Sequence, residues 1–187
     1  MSFPGIPSLD AAVMAFIQTH FHNTVTDTVF PIITSLGEAG IGWIVLSLVL
    51  LCFKKTRRTG GLVLIAMTVT LLFGELTLKN IICRLRPCNV FTDFPMLIAR
   101  PASYSFPSGH TSSSFAAALI LTLRHKKVGW LAYIPAALIA FSRIFLFVHY
   151  PPDVLAGILL GTLAALLTYF AAKTIQKRQA EKRTAQI

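Results

Sequence analysis

Charge is scarce in this chain and acid scarcer still: 13% of its 187 residues are charged, with 17 basic residues against seven acidic ones. A soluble domain carries roughly 25% charged residues, so the deficit excludes an ordinary water-facing surface. The three cysteines, Cys52, Cys83 and Cys88, are too few for a disulfide framework and lack the spacing of a zinc site. No cluster of carboxylates runs along the sequence to cage a hard cation such as Mg²⁺. No metal and no cofactor are therefore expected. Residues 1–23 contain no Lys or Arg, so the charged start of a cleavable signal is missing.

Apolar residues fill the space that charge leaves. They make up 55% of the chain and gather in long runs at residues 40–53, 61–77, 115–123, 128–148 and 154–172. A bilayer span needs roughly 17–25 predominantly apolar residues; three of these runs reach or nearly reach that length alone, and the other two do so with small or weakly polar neighbours. The expected fold class is all-α: an integral membrane helical bundle of five to six transmembrane helices with an N-terminal amphipathic segment. The length suits a single domain over residues 1–187, with a basic tail at 173–187.

The net charge of +10 raises the question of nucleic acid. Its distribution answers against it. Lys54, Lys55, Arg57 and Arg58 form one cluster, Arg124, Lys126 and Lys127 a second, and Lys173, Lys177, Arg178, Lys182 and Arg183 a third. Each abuts the end of an apolar run, as cytoplasmic loops do, and suits anionic lipid headgroups. Alternating spans between the clusters then gives a topology. The segment 61–82 exits, 83–108 is external, 109–123 returns, 128–148 exits again, and 153–172 re-enters to leave the C-terminus cytoplasmic. Gly157 and Gly161, four apart, suit close helix packing on the last span. Residues 9–21 read as an amphipathic helix in the interface, with Ala12, Val13, Phe16 and Ile17 apolar and Asp10, Gln18 and His20 between them. Residues 25–36 read as a helix dipping into the membrane or as half of a sixth span.

Five basic residues remain: Lys79, Arg84, Arg86, Arg100 and Arg143. All lie at or beyond outer span ends, where positive charge is normally depleted, and His110, His149 and Asp153 share that face. Converging cations without matching carboxylates favour a multiply charged anion, and the Arg fork suits phosphate. Pro107-Ser108-Gly109-His110 opens a helix, with Ser108 as N-cap and free N–H groups facing the anion. Two histidines allow a nucleophile and a general acid. Pro151 and Pro152 make a turn in which Asp153 accepts the Nδ1 proton of His149, leaving Nε2 free to attack. Arg84 and Arg100 read as surface charges, Glu75 as a structural partner of Lys79 or of a neighbouring helix, and His20, His22 and His125 as solvated. Tyr104 and Phe106 are expected to wall the mouth of the site or to lie at the membrane surface.

Three motifs cover residues 79–153: Lys79-NIICRL-Arg86-Pro87, Pro107-Ser108-Gly109-His110, and Ser142-Arg143-IFLFV-His149-YPP-Asp153. Together they resemble the type 2 phosphatidic acid phosphatase superfamily, which includes bacterial membrane lipid phosphatases and vanadium haloperoxidases. The resemblance implies that Lys79, Arg86 and Arg143 hold phosphoryl oxygens and that Ser108 and the Gly109 amide complete the cradle. By the same resemblance His149 is the nucleophile, His110 the general acid and base, and Asp153 the group that orients His149. The expected reaction is metal-independent hydrolysis of a lipid phosphate or diphosphate through a phosphohistidine, at the outer face of the plasma (inner) membrane. The partners implied are a lipid phosphate substrate and membrane lipids, with no nucleic acid. Undecaprenyl diphosphate leads as substrate, ahead of phosphatidylglycerol phosphate and phosphatidic acid. A haloperoxidase-like oxidant enzyme and a non-enzymatic anion channel or transporter are the competing classes.

Overall fold

Helix α7 is the element around which the rest is built, because its sequence has small residues where neighbours must come close. The structure, a computed structural model, describes residue 3 and residues 5–184, and every regular element in them is helical. In chain order these are α1 (Ser8–His20), α2 (Thr24–Leu36), α3 (Ile41–Cys52), α4 (Arg57–Thr70), α5 (Lys79–Ile82), α6 (Pro87–Val90), α7 (Gly109–Arg124), α8 (Tyr133–Phe145) and α9 (Pro151–Thr184). Residues Leu71–Leu78 join α4 to α5 as a π-helical stretch.

Ser112, Ser114, Ala116, Ala117 and Ala118 of α7 are all buried, and α3, α4, α8 and α9 pack against the helix. On α9 the facing residues are Gly157 and Gly161. A methyl at 157 would come within 2.7 Å of the Ser108 carbonyl, and one at 161 would strike the Ser112 carbonyl. The glycine pair thus does the close packing expected of it, and van der Waals contact of the two backbones replaces the hydrophobic drive that lipid cannot supply. Trp43 adds a directional tie, donating from Nε1 to Ser114 Oγ at 2.9 Å.

Leu155, Leu159, Leu163, Leu167 and Phe170 of α9 lie exposed, as do Leu48, Val49, Leu72, Phe73 and Leu76. A continuous apolar exterior of this kind marks a membrane-facing surface. By length and composition, Arg57–Val90 and Pro151–Thr184 each suffice to cross a membrane, and Thr24–Leu36 with Glu38–Cys52 forms a third candidate bent by 46°. Gly129–Phe145 is apolar but shorter. The segment 25–36 is therefore one arm of a broken helix. Its start is fixed locally: Asn23 Oδ1 accepts from the Val25 and Thr26 amides, and Thr26 Oγ1 accepts from the Asn23 amide.

Helix α1 departs from expectation. Asp10 and Gln18, assigned to its polar face, are buried, while Leu9 and Phe16 are exposed. The reason is polar partnering with the protein: Gln18 Nε2 donates to the Phe145 carbonyl at 2.9 Å, and Asp10 meets Arg84. Two histidines expected in solvent also find partners. His22 stacks on Phe145 and pairs with Asp27, and His125 lies 3.0 Å from Thr59 Oγ1. The cysteines are free thiols, and Arg100, exposed as a surface charge should be, also donates to the carbonyls of Cys88, Thr92 and Phe94.

Candidate active site

Seven stretches of chain converge on one place. The π-helical stretch and α5 bring Glu75 and Lys79, the segment after α5 brings Arg84, Arg86, Ser103 and Ser105, and the start of α7 brings Gly109 and His110. Arg143 comes from the last turn of α8, His149 from the turn that follows, and Asp153 from the first turn of α9. The break between α2 and α3 adds Glu38. Where they meet lies a cavity of about 680 Å³ lined by Lys79, Arg86, Gly109, His110, Arg143 and His149, with Glu38 and Glu75 beside them. On one side the wall turns apolar, through Ile44, Leu64, Met67, Leu71 and Leu76.

The turn Leu146–Tyr150 makes the centre. Phe147 sits at φ +58° and is fully buried, and the Val148 and His149 amides both donate back to the Arg143 carbonyl. That reversal aims His149 into the cavity. Arg86 donates from Nη1 to His149 Nε2 at 2.9 Å and to the Val148 carbonyl at 2.9 Å, while Nε and Nη2 hold Ser103. A guanidinium only donates, so Nε2 carries the lone pair and the ring proton resides on Nδ1. That proton faces Asp153 Oδ2 at 3.5 Å and Ser105 Oγ at 3.4 Å. Ser105 Oγ donates to the same carboxylate oxygen at 2.5 Å, and the Tyr150 amide donates to it at 3.0 Å. Burial, helped by Arg86 and Arg143, pushes the His149 imidazole down to about 3 against the pull of Asp153. The ring is neutral at physiological pH, with its Nε2 lone pair toward the cavity.

Arg143 is 3% exposed; it donates from Nη1 to Thr34 Oγ1, its Nε has no partner, and it enters no ion pair among the described residues. A buried cation with spare donors is a poor arrangement for stability and a good one for an anion. Lys79 donates to Glu75 Oε2 at 2.7 Å, the partnership expected for Glu75. The other Glu75 oxygen occupies the space that a Cβ at position 109 would need, so a larger residue there would displace the Glu75 carboxylate. His110 Nε2 is buried without a hydrogen-bond partner, 3.5 Å from the carboxylate of Glu38, which is itself largely exposed. The cations of the cavity are thus accompanied by two carboxylates, Glu75 expected beside Lys79 and Glu38 not foreseen from the sequence.

Ser108 and Asp153 stand behind the cavity wall. Ser108 Oγ accepts from Thr111 Oγ1 at 2.9 Å and caps α7, and its amide donates to the Asp153 carbonyl at 3.0 Å. Its hydroxyl is turned toward the helix. Arg84, read from sequence as a surface charge, donates to Asp153 Oδ1 at 2.8 Å. Asp10, Glu38, Ser103, Ser105 and Thr34 were likewise not singled out for the site. One signal pointed to the acids: the chain has only seven, so each one near a basic cluster is a candidate partner.

Comparison with known proteins agrees with this arrangement. A family model described as the PAP2 superfamily matches residues 59–177. The undecaprenyl-diphosphatase of Sulfolobus acidocaldarius is 37% identical over 127 residues, 67% of this chain; the chain spans 61% of that protein's length. The undecaprenyl-diphosphatase BcrC of Bacillus subtilis is 31% identical over 157 residues, covering 79% of this chain and 76% of the relative. The crystal structure of a transmembrane PAP2 type phosphatidylglycerolphosphate phosphatase from Bacillus subtilis superposes with a TM-score of 0.73 at 28% identity, covering 92% of this chain and 89% of that one. With the three motifs gathered on one cavity and the family model matching most of the chain, this all-helical membrane protein belongs to the PAP2 superfamily.

Proposed function

We propose that the protein hydrolyses a lipid phosphate or diphosphate, with undecaprenyl diphosphate as the preferred substrate and His149 as the nucleophile. The observation that carries this reading is the pairing of a neutral His149, its Nε2 lone pair facing the cavity, with Arg86 at 2.9 Å. Arg86 holds the nucleophile until an anion arrives; phosphoryl oxygens then take its donors together with those of Arg143 and Lys79. Nε2 attacks phosphorus in line, the bond to the lipid-side oxygen breaks, and His110 supplies the proton to that oxygen. Water then attacks the phosphohistidine, His110 takes its proton, and inorganic phosphate leaves. The Gly109 amide and Ser108, through its cap on α7, keep the helix start aimed at the anion. Positioning and charge stabilisation account for most of the acceleration in phosphoryl transfer, and three fixed cations supply them here.

The apolar wall of the cavity supports a lipid substrate, since a headgroup bound among the cations leaves its tail beside Leu71 and Leu76. The names of the two undecaprenyl-diphosphatase relatives favour a polyprenyl diphosphate, and the 28% identical structure makes phosphatidylglycerol phosphate the second reading. Five spans fit the basic clusters: α3 with α2 as its re-entrant arm, α4 through α5, α7, α8 with the turn before it, and α9. The loops at 54–60 and 124–127 and the tail at 173–187 then face the cytoplasm, and the site faces outward in a single domain. Phosphate release in detergent, measured with excess EDTA on undecaprenyl diphosphate, phosphatidylglycerol phosphate and phosphatidic acid, tests the reading. Release that survives EDTA and is lost in His149→Ala supports it; full activity in that variant sinks it.

A further inference from the structure

Behind the cavity, Arg84 and Asp10 extend a chain of charges outward from Asp153, and the reaction described above uses neither of those two. Asp153 is fully buried and its two oxygens have different neighbours. Oδ2 faces His149, Ser105 and the Tyr150 amide, whereas Oδ1 accepts from Arg84 Nη1 at 2.8 Å. The second terminal nitrogen of Arg84, Nη2, lies 3.6 Å from Asp10 Oδ2 of α1, and the guanidinium carbon sits 3.9 Å above the Tyr150 ring. Arg84 does not line the cavity. Asp10, the one acid of helix α1, is 6% exposed. Helix α1 has a second polar tie to the same region through Gln18 and the Phe145 carbonyl, and its Met14 and Ile17 share a core with Phe145, Phe147 and Val148.

We infer that Arg84 is a positioning residue for the Asp153–His149 pair, and that Asp10 makes helix α1 part of that machinery. The inference rests on the reading of His149 as nucleophile. A carboxylate can exchange its two oxygens by rotating about its last bond; a charge-assisted bond on Oδ1 stops the rotation and keeps Oδ2 toward Nδ1. A lone Arg on Asp153 would also draw off the negative charge needed when the imidazole gains a phosphoryl group. Asp10 takes part of that positive field, so Asp153 is held in place while keeping its charge for the ring.

The test uses the full-length protein in detergent and compares Arg84→Met, Arg84→Lys, Asp10→Asn and His149→Ala. Two readouts are taken: kcat and KM on the best lipid substrate, and the Kd for inorganic phosphate from thermal stabilisation. Arg84→Met is expected to lower kcat at least about 30-fold with KM and phosphate Kd within about threefold, because it leaves the anion ligands untouched. Arg84→Lys recovers part of the loss, Asp10→Asn lowers kcat about three- to tenfold, and Asp10→Asn adds nothing in the Arg84→Met background. Wild-type kcat in Arg84→Met, or a parallel loss of phosphate binding, overturns the inference while the loss in His149→Ala leaves the phosphatase reading intact. Should Arg84→Met fail to fold, Arg84→Lys and Asp10→Asn decide by the same two readouts. Activity in His149→Ala is the separate failure of the underlying reading.

Discussion

Arg143 sets function against stability, and replacing it by methionine separates the two. Arg143 is 3% exposed, bonds only Thr34 Oγ1 among the described residues, and leaves its Nε without a partner there. One unsatisfied buried N–H costs about 1–3 kcal/mol, and a buried charge lacking its counter-ion adds to that. Methionine follows the same path without charge. It loses the Thr34 bond, so the net gain in stability for Arg143→Met is about 1–3 kcal/mol. For a chain of this size each kcal/mol moves Tm by about 2–4 °C, so a rise of roughly 2–12 °C is expected without ligand. The opposite holds with ligand. Inorganic phosphate at a hundred times its Kd stabilises the wild type by about 2.7 kcal/mol, and the variant loses that response along with about 10²–10³ in kcat/KM. Thermal unfolding in detergent, with and without phosphate, reads both effects. A variant that melts below the wild type in the absence of phosphate, yet still gains stability when phosphate is added, would refute the reasoning.

Two further outcomes follow from the same geometry. Ser105→Ala removes the 2.5 Å bond to Asp153 and the contact with His149 Nδ1; a bond to a charged group is worth about 1.5–3 kcal/mol, so kcat is expected to fall about 10- to 100-fold with phosphate affinity preserved, and an unchanged kcat would contradict it. The His149 imidazole is pushed down to about 3 from a usual value near 6.5, so the unfolded chain takes up its proton first and the stability tied to the neutral ring is present above about pH 6.5 and lost as pH falls toward 3. Wild type should therefore lose more Tm between pH 7 and pH 4.5 than His149→Gln; equal losses would mean that the ring is not held neutral.

How much of this was legible beforehand differs by residue. Lys79, Arg86, His110, Arg143 and His149 stood out because a cation or imidazole at the outer end of an apolar run needs a reason to be there, and the structure brings all five to one cavity. The glycine pair of α9 was legible too, because spacing of four on a helix makes one face whatever packs against it. Asp10, Arg84 and Glu38 were not. Their partners lie far off in sequence, Arg84 meeting Asp153 across 69 residues, and no local pattern encodes such a meeting. Helix α1 was misread for the same reason: amphipathicity sorts residues by polarity, while burial of Asp10 and Gln18 depends on Arg84 and the Phe145 carbonyl being there to receive them.

The sequence by itself determined that the chain is helical, that its exterior is apolar and that its chemistry belongs to phosphate, because run length, charge placement and residue type are local properties. Only the tertiary structure decided which atoms meet. It set the proton of His149 on Nδ1 by bringing Arg86 to Nε2, turned the Ser108 hydroxyl toward its own helix, left Arg143 without a carboxylate partner among the described residues and placed Glu75 where Gly109 makes room. Those outcomes depend on helices crossing at small residues within a few ångströms of one another, and such distances exist only once the bundle has closed.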